Sequence, residues 1–269
     1  MTQYRVLLSH LATLHATSIA WERAESFSIG ERYREMLFEL MLSSENDWFI
    51  TSIKAIVYLA AQHEQLQHEK YQHFIANKLY EKLLKTETLV QPTERMCNVF
   101  CHRDASNFNI FFAKHDAERC CLVDFGLSTY STPAHDIHFM LYMNSTQTTR
   151  QLLYQEFIKW YFDALQAKFA ELGIPATELS WQEFQADCKR ASLVALIISC
   201  LCLPIHLLPS KLMATVRSQQ AQKFDYWLNV DRRELLDMAM AQDPAYKAKI
   251  MALIKELMEQ LLASEAQES

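Results

Sequence analysis

The chain has 269 residues, half of them hydrophobic, and a formal net charge of −6. That length allows one large domain or two small ones around a sizeable core, with disorder expected only over the final residues, 263–269. A mildly acidic chain without a basic stripe is a poor match for a phosphate backbone, so nucleic acid is not an expected partner.

Residues Met1 to Arg5 are polar and the apolar residues after them are spaced, so no secretory signal is expected. Val6, Leu7, Leu11, Leu14 and Ile19 recur at helical spacing and predict a first helix over about Tyr4 to Glu25. A second helix is predicted over about Ile29 to Leu42, and more helix from Trp48 to Ala61 and on toward Leu84, ended by Gln91-Pro92-Thr93. The pattern then changes. Asn98 to Cys101, Ile110 to Ala113 and Cys120 to Val123 are short β-prone runs, and the polar stretch Lys114 to Arg119 joins the last two as a hairpin. Thr132-Pro133 has the form of a helix start, with Thr as the cap and Pro at the first helical position. Gln151 to Leu172 predicts a long helix stopped at Gly173. Ser180 with Glu183 makes a capping box, and Leu179 with Phe184 a hydrophobic staple, for the helix that follows. Further helices are predicted to start at Asp231 and at Asp243-Pro244, the last with the stripe Ile250, Leu253, Ile254, Leu257 and Leu261.

Ala191 to Leu208 is apolar for nearly the roughly 20 residues a membrane span needs. Pro204 interrupts it, so a buried core helix ending near Pro204 is expected instead of a span. Seven cysteines (Cys97, Cys101, Cys120, Cys121, Cys188, Cys200 and Cys202) form no Cys-x-x-Cys pair and sit mostly in apolar runs. Reduced, buried thiols of a cytoplasmic protein are expected, with a redox role for the adjacent Cys120 and Cys121 as the alternative. His63, His68 and His73 step about 140° around a helix axis, so they share no face and predict no metal site. Phe157, Trp160 and Tyr161 are expected in the core, with the lining of a substrate pocket as the alternative. The chain reads as mainly α with one small β-hairpin, a single domain over 1–269. Its three glycines, against roughly 19 at average usage, leave no Gly-rich phosphate loop anywhere.

Polar residues flank the hairpin in a distinctive order: His102-Arg103-Asp104-Ala-Ser-Asn-Phe-Asn109, then Asp124-Phe125-Gly126. Phosphoryl transfer asks a protein mainly to hold an acceptor hydroxyl in line and to hold Mg²⁺ on the nucleotide phosphates. Asn and Asp offer the hard oxygen ligands that Mg²⁺ prefers. Asn109 precedes one hairpin strand and Asp124 follows the other, so the two meet at one end, about 5 Å apart if opposed. Asp104, on the loop leading in, is placed to take the proton of the incoming hydroxyl. His102 is expected to brace this loop by hydrogen bonding. His-Arg-Asp and Asp-Phe-Gly are the protein-kinase words. Thr132-Pro-Ala-His-Asp136 follows almost at once, leaving no room for a peptide-docking activation segment, so the expected substrate is a small hydroxylated molecule.

Val99 to Ile110 and Leu122 to Asp136 resemble the CHK kinase-like, or ecdysteroid kinase-like, family, a relative of the choline kinases and aminoglycoside phosphotransferases. Leu11-Ala-Thr-Leu-His-Ala-Thr-Ser18, Asp187-Cys-Lys-Arg190 and the stretch 232–236 are similar to it as well. The resemblance implies ATP-dependent phosphorylation of a small-molecule hydroxyl, in some members a steroid such as an ecdysteroid. It implies Asp104 as the base, Asn109 and Asp124 as Mg²⁺ and nucleotide ligands, and Asp136 as a brace of the catalytic loop. The family usually has Gly at Arg103 and Asn at Phe108. The resemblance covers only the C-terminal lobe of a kinase-like fold. The N-terminal lobe, with its ATP-covering sheet and lysine, is expected to be missing, so ATP is expected to bind weakly and turnover to be low. The alternative is a catalytically silent kinase-like fragment that binds a ligand or a partner chain through the lobe surface left exposed.

Overall fold

The computed structural model describes residues 2–92 and 97–268. These are mostly helical, with two separate two-stranded antiparallel sheets. Thr93, in the predicted break after Gln91, lies outside the described residues. The chain forms two compact units, one of Met1–Glu39 with Val90–Ala195, the other of Leu40–Leu89 with Leu196–Ser269.

The first unit opens on the helix Thr2–Glu25, whose buried face carries Leu7, Leu8, Leu11, Ala12, His15, Ala16 and Ile19. These positions follow the 3.6-residue period, with one polar residue, His15, on the apolar stripe. The helix predicted over Ile29–Leu42 is cut to a single turn, Ile29–Arg32, capped by Ser28 and released at Tyr33. A longer helix would place Met36 and Leu40 on one face with Leu37 and Met41. Here Met36 and Leu40 are exposed while the adjacent Met41 and Leu42 are buried. Tertiary context can override local propensity, and past the helix end Glu39 lies 3.1 Å from the guanidinium of Arg103.

Strands β1 (Val99–Cys101), β2 (Ile110–Ala113), β3 (Asp116–Leu122) and β4 (Thr129–Ser131) complete the sheets. β2 and β3 form the expected hairpin in the register Ile110↔Leu122, Phe111↔Cys121 and Phe112↔Cys120. Its polar stretch is mostly strand: Ala113 pairs with Asp116, the turn shrinks to Lys114-His115, and the register shifts between Phe112 and Ala113. Backbone N–H groups find partners there whatever the polarity of the side chains. β1 pairs with β4, as Val99↔Ser131 and Cys101↔Thr129, a pairing the sequence reading lacked. This second sheet brings the residue after β1, His102, beside the residue before β4, Ser128.

Helix Pro133–Met143 follows, with Thr132 as its cap, and all 11 of its residues are buried. Such a helix sits in the core on every side. The helix Gln147–Leu172 ends at Gly173, whose φ of 70° is the left-handed conformation that glycine tolerates best. Phe157 and Tyr161 on this helix are fully buried, core positions with no wall to offer a pocket. Ser180 and Glu183 close the capping box, Glu183 N–H donating to Ser180 Oγ at 3.2 Å and Ser180 N–H to Glu183 Oε2 at 2.9 Å.

The helix Trp181–His206 contains Pro204 two residues before its end. It is long and apolar enough to cross a membrane, yet two thirds of its most apolar window is buried within the fold, as in a core helix. In the second unit, helix Asp47–Gln62 is capped by Asn46. Helix Pro244–Glu268 is capped by Asp243, whose Oδ1 accepts from Ala245 and Tyr246, and it buries the predicted stripe. Arg232 is a buried cation of this unit. Its guanidinium donates to the carbonyls of Leu201, Trp48 and Leu228 and stacks on the Trp48 ring, and burial pulls it down to about 10. Of the three spaced histidines, His63 and His68 cap helix starts with Nδ1, His63 also bonds from Nε2 to the Met251 carbonyl at 3.0 Å, and Nδ1 of His73 meets Asn77.

Burial holds His138 of the first unit at about 4. Its Nδ1 bonds to the Ala134 carbonyl at 2.8 Å and its Nε2 to the Tyr154 hydroxyl at 2.9 Å. The unfolded chain binds this proton near pH 6.5 and the native chain only near 4. The contribution is therefore whole above pH 6.5 and shrinks as pH falls, by about 1.4 kcal/mol per pH unit. In His138→Gln this slope between pH 6.5 and 4 disappears. Chemical denaturation of both proteins across that range checks it, and a stability difference that does not vary with pH contradicts it.

Candidate active site

The loop 102–109 between β1 and β2 is held from beneath by one carboxylate. Asp136 Oδ2 accepts the backbone N–H of His102 at 2.7 Å, and Oδ1 that of Arg103 at 2.6 Å. Oδ2 also meets His15 Nε2 at 3.1 Å, and His15 Nδ1 meets the Tyr161 hydroxyl at 2.7 Å. Both His15 and Asp136 are completely buried. Burial alone pushes the Asp136 carboxyl up, but the His15 contact and the two backbone N–H groups outweigh it and hold Asp136 below the ordinary carboxylate range. The Asp136 carboxylate can only accept, so His15 donates to it from Nε2, and burial keeps the Tyr161 hydroxyl protonated.

His102 ties the loop to the hairpin. Its Nδ1 accepts the N–H of Asp104 at 3.1 Å, which leaves the proton on Nε2, and Nε2 donates to the Val123 carbonyl at 3.0 Å. Its ring lies 4.5 Å from that of Phe125. Asn109 donates from Nδ2 to Asp104 Oδ2 at 2.7 Å and to the Asp104 carbonyl at 3.1 Å. The N–H of Val123 donates to the Asn109 carbonyl at 3.0 Å, so the ladder runs one pair past Ile110↔Leu122 and Asp124 follows directly. Asp124 is exposed, and its Oδ1 accepts from Gly126 N–H at 3.3 Å. Asp104, Asn109 and Asp124 thus lie at one end of one hairpin. With Nδ2 of Asn109 committed to Asp104, its Oδ1 is the atom it has to offer a cation. Together with the Asp124 carboxylate this is a hard-oxygen donor set of the kind Mg²⁺ takes.

Asp104 is placed in the opposite electrostatic situation to Asp136. Burial pushes its carboxyl up, against the pull of His102, Ser106 and Asn109, and the charge of Asp124 adds to the rise. A carboxylate whose proton affinity is raised is a better base. Two residues of this site adopt left-handed backbone without being glycine, Arg103 at φ 65° and Asp124 at φ 64°. Arg103 is buried, whereas Phe108, the other departure from the family pattern, is exposed.

Beside the loop lies a cleft of about 380 Å³, lined by Gln3, Tyr4, Leu7, Asn107, Ile110, Phe112 and Asn144. It offers neutral amides, a phenol and apolar carbon. Asn144 also supports the loop, donating from Nδ2 to the Ala105 carbonyl at 3.2 Å. One further cluster has metal-type ligands among the described residues, His15, Cys101 and Asp136. Their atoms are already engaged: Cys101 Sγ donates to the carbonyls of Ser131 and Thr132, and the Asp136 oxygens hold the loop. Cys120 is pushed up to about 11 by burial and Cys97 to about 12, so both stay thiols and are weak nucleophiles.

The supporting roles of Tyr161, Glu39 and Asn144 had no sequence signal. His15 had one, a histidine on an otherwise apolar helical stripe. Residues 1–174 match the ecdysteroid kinase-like family, and the chain belongs to that family. No curated protein matches it.

The two carboxylates are expected to respond oppositely to substitution. At pH 7 the native fold disfavours the charge of Asp104, so Asp104→Asn melts no lower than the wild type. Asp136→Ala strands His15 and two buried backbone N–H groups and costs about 3–5 kcal/mol. Thermal melting and denaturant titration check the pair. A large destabilisation by Asp104→Asn contradicts the division between a working and a bracing carboxylate.

Proposed function

We propose that this chain carries the catalytic loop of an ATP-dependent phosphotransferase acting on a hydroxyl of a small molecule, an ecdysteroid-type steroid among the candidates. The observation that carries the reading is the joined set Asp104–Asn109–Asp124 at one end of the hairpin, on a loop held by Asp136. Asp104 takes the proton of the acceptor hydroxyl as its oxygen bonds to the γ-phosphorus, the bond to the bridging oxygen breaks, and ADP departs. Asn109 and Asp124 hold Mg²⁺, which when bound neutralises phosphate charge. His102 and Asp136 keep the loop in register with the hairpin and leave the chemistry to Asp104. In this reading residues 1–269 form a single kinase-like C-terminal lobe. The strands of the described residues are confined to two short pairs, and the reading assigns none of them to covering ATP. Residues 1–269 by themselves are therefore expected to hold Mg-ATP weakly and turn over slowly.

A second reading has a specific observation behind it. Phe108, Phe111, Val123 and Phe125 are all exposed on the hairpin and its flanks, Phe111 at 58%. Apolar side chains gathered around a site favour a binding module that takes a ligand or a partner chain there.

Mn²⁺ with ATP separates the two. Under the first reading paramagnetic broadening falls selectively on the amides of 104–109 and 122–126, and Asp124→Asn removes it. Slow phosphate transfer from labelled ATP to a hydroxylated steroid then stops in Asp104→Ala. Broadening that is absent at millimolar Mn-ATP, or unchanged in Asp124→Asn, sinks the phosphotransfer reading and leaves the binding module.

A further inference from the structure

Residue 103 is fixed from both ends. Its backbone N–H is bonded to Asp136, and its backbone is left-handed at φ 65°, a conformation side chains other than glycine adopt at a cost. Its side chain is 3% exposed and reaches Glu39, itself 8% exposed, with 3.1 Å between Nη2 and Oε2. Nη1 is buried without a hydrogen-bond partner. An arginine thus stands where a glycine would be relaxed, its charge is buried, and Glu39 supplies the counter-charge from 64 residues earlier in the chain. Removing one member of a buried pair leaves the other uncompensated, which is far worse than removing both.

We propose that the Glu39–Arg103 pair is a built-in positioning clamp for the Asp104 loop. Asp136 holds the main chain of residue 103 and Glu39 holds its side chain, so the direction in which the chain enters Asp104 is set by both. In kinases whose loops are ordered by phosphorylation, a phosphate pairs with arginine to do this work. Here a carboxylate of the chain itself occupies that role, so the loop is ordered without modification. Neither Glu39 nor Arg103 touches the reacting atoms. They act through Asp104. The segment after Tyr33, which leaves helix in spite of its local pattern, is the price of presenting Glu39.

The relevance of the clamp to catalysis rests on the reading of Asp104 as the base, but the clamp itself is tested without it. Hydrogen exchange of the amides of His102, Arg103, Asp104 and Asn109 is measured by NMR in wild type, Glu39→Gln, Arg103→Gly and the double variant. Glu39→Gln is expected to speed exchange at these amides about tenfold or more, because the buried guanidinium loses its partner. Arg103→Gly suits the left-handed backbone but strands the Glu39 carboxylate, so exchange rises there too, by less than in Glu39→Gln. In the Arg103→Gly background Glu39→Gln removes the stranded charge, so the double variant exchanges within about threefold of wild type. An equal effect of Glu39→Gln in both backgrounds, or none in the wild-type background, overturns the clamp. Should Glu39→Gln alone fail to fold, a folded double variant with a protected loop supports the clamp and an unfolded one overturns it. Mn²⁺ broadening on the same samples keeps the two questions apart. Clamp-dependent exchange without Mn²⁺ binding retains the clamp and discards the phosphotransfer reading, and the reverse result does the opposite.

Discussion

The site is organised around one buried carboxylate. Asp136 lies on a helix with no solvent-facing side, so its position is set by packing before any of its bonds are made. Burial of a charge is unfavourable unless its hydrogen-bonding capacity is filled, and here two loop N–H groups and the His15 imidazole fill it. The balance favours the ionised form, and hydrogen bonds to an ionised acceptor are the strong kind. The loop 102–109 therefore inherits the rigidity of the core although part of it faces solvent. His15 extends the same network to Tyr161. The first helix and two consecutive later ones thereby fix the direction of one short loop.

Asp104 and Asp136 show how environment sorts identical side chains into different tasks. Asp136 is surrounded by donors and is held ionised. Asp104 has fewer donors, is half-buried, and feels the charge of Asp124, so its proton affinity rises. Asn109 moderates that rise by donating Nδ2 to Asp104, and the same bond leaves its amide oxygen for a cation. Under the proposed function, the base and the cation site are coupled through this single amide. Burial, charge and donor count at 104, 109 and 124 must be compatible with one another before any substrate arrives.

What the sequence reveals divides along the range of the interactions involved. The hairpin, the caps at Thr132 and Ser180, the stop at Gly173 and the stripe of the last helix depend on neighbours within a few residues, and each is readable from the residue string. The order His102, Asp104, Asn109, Asp124 is readable for the same reason, since a hairpin converts that spacing into proximity. The β1–β4 pairing depends on Thr129-Tyr130-Ser131, a run too short and too polar to stand out. The Glu39–Arg103 pair is hidden as well, since nothing near Glu39 in the sequence announces a partner 64 residues away. The polar stretch 114–119 reads as a turn because its side chains are polar, whereas the ladder depends on backbone groups.

Backbone strain ties these threads together. Among the described residues, the non-glycine positions with left-handed backbone are Ser26, Arg103 and Asp124, and two of them bracket the hairpin at the candidate site. Strain of this kind persists only where the surroundings determine it. At Arg103 the surroundings are Asp136 on the backbone and Glu39 on the side chain. Asp124 follows a residue bonded twice, Val123, whose N–H reaches Asn109 and whose carbonyl accepts from His102. The hydrogen bonds that brace the loop also hold the hairpin end, so relaxing one strained residue would disturb the other. A glycine at 103 would remove one source of strain and also the reason for Glu39 to leave the helix its neighbours favour. The arginine at 103 is therefore not an isolated feature of one position. It is matched by a carboxylate, a broken helix and a buried charge pair elsewhere in the same unit.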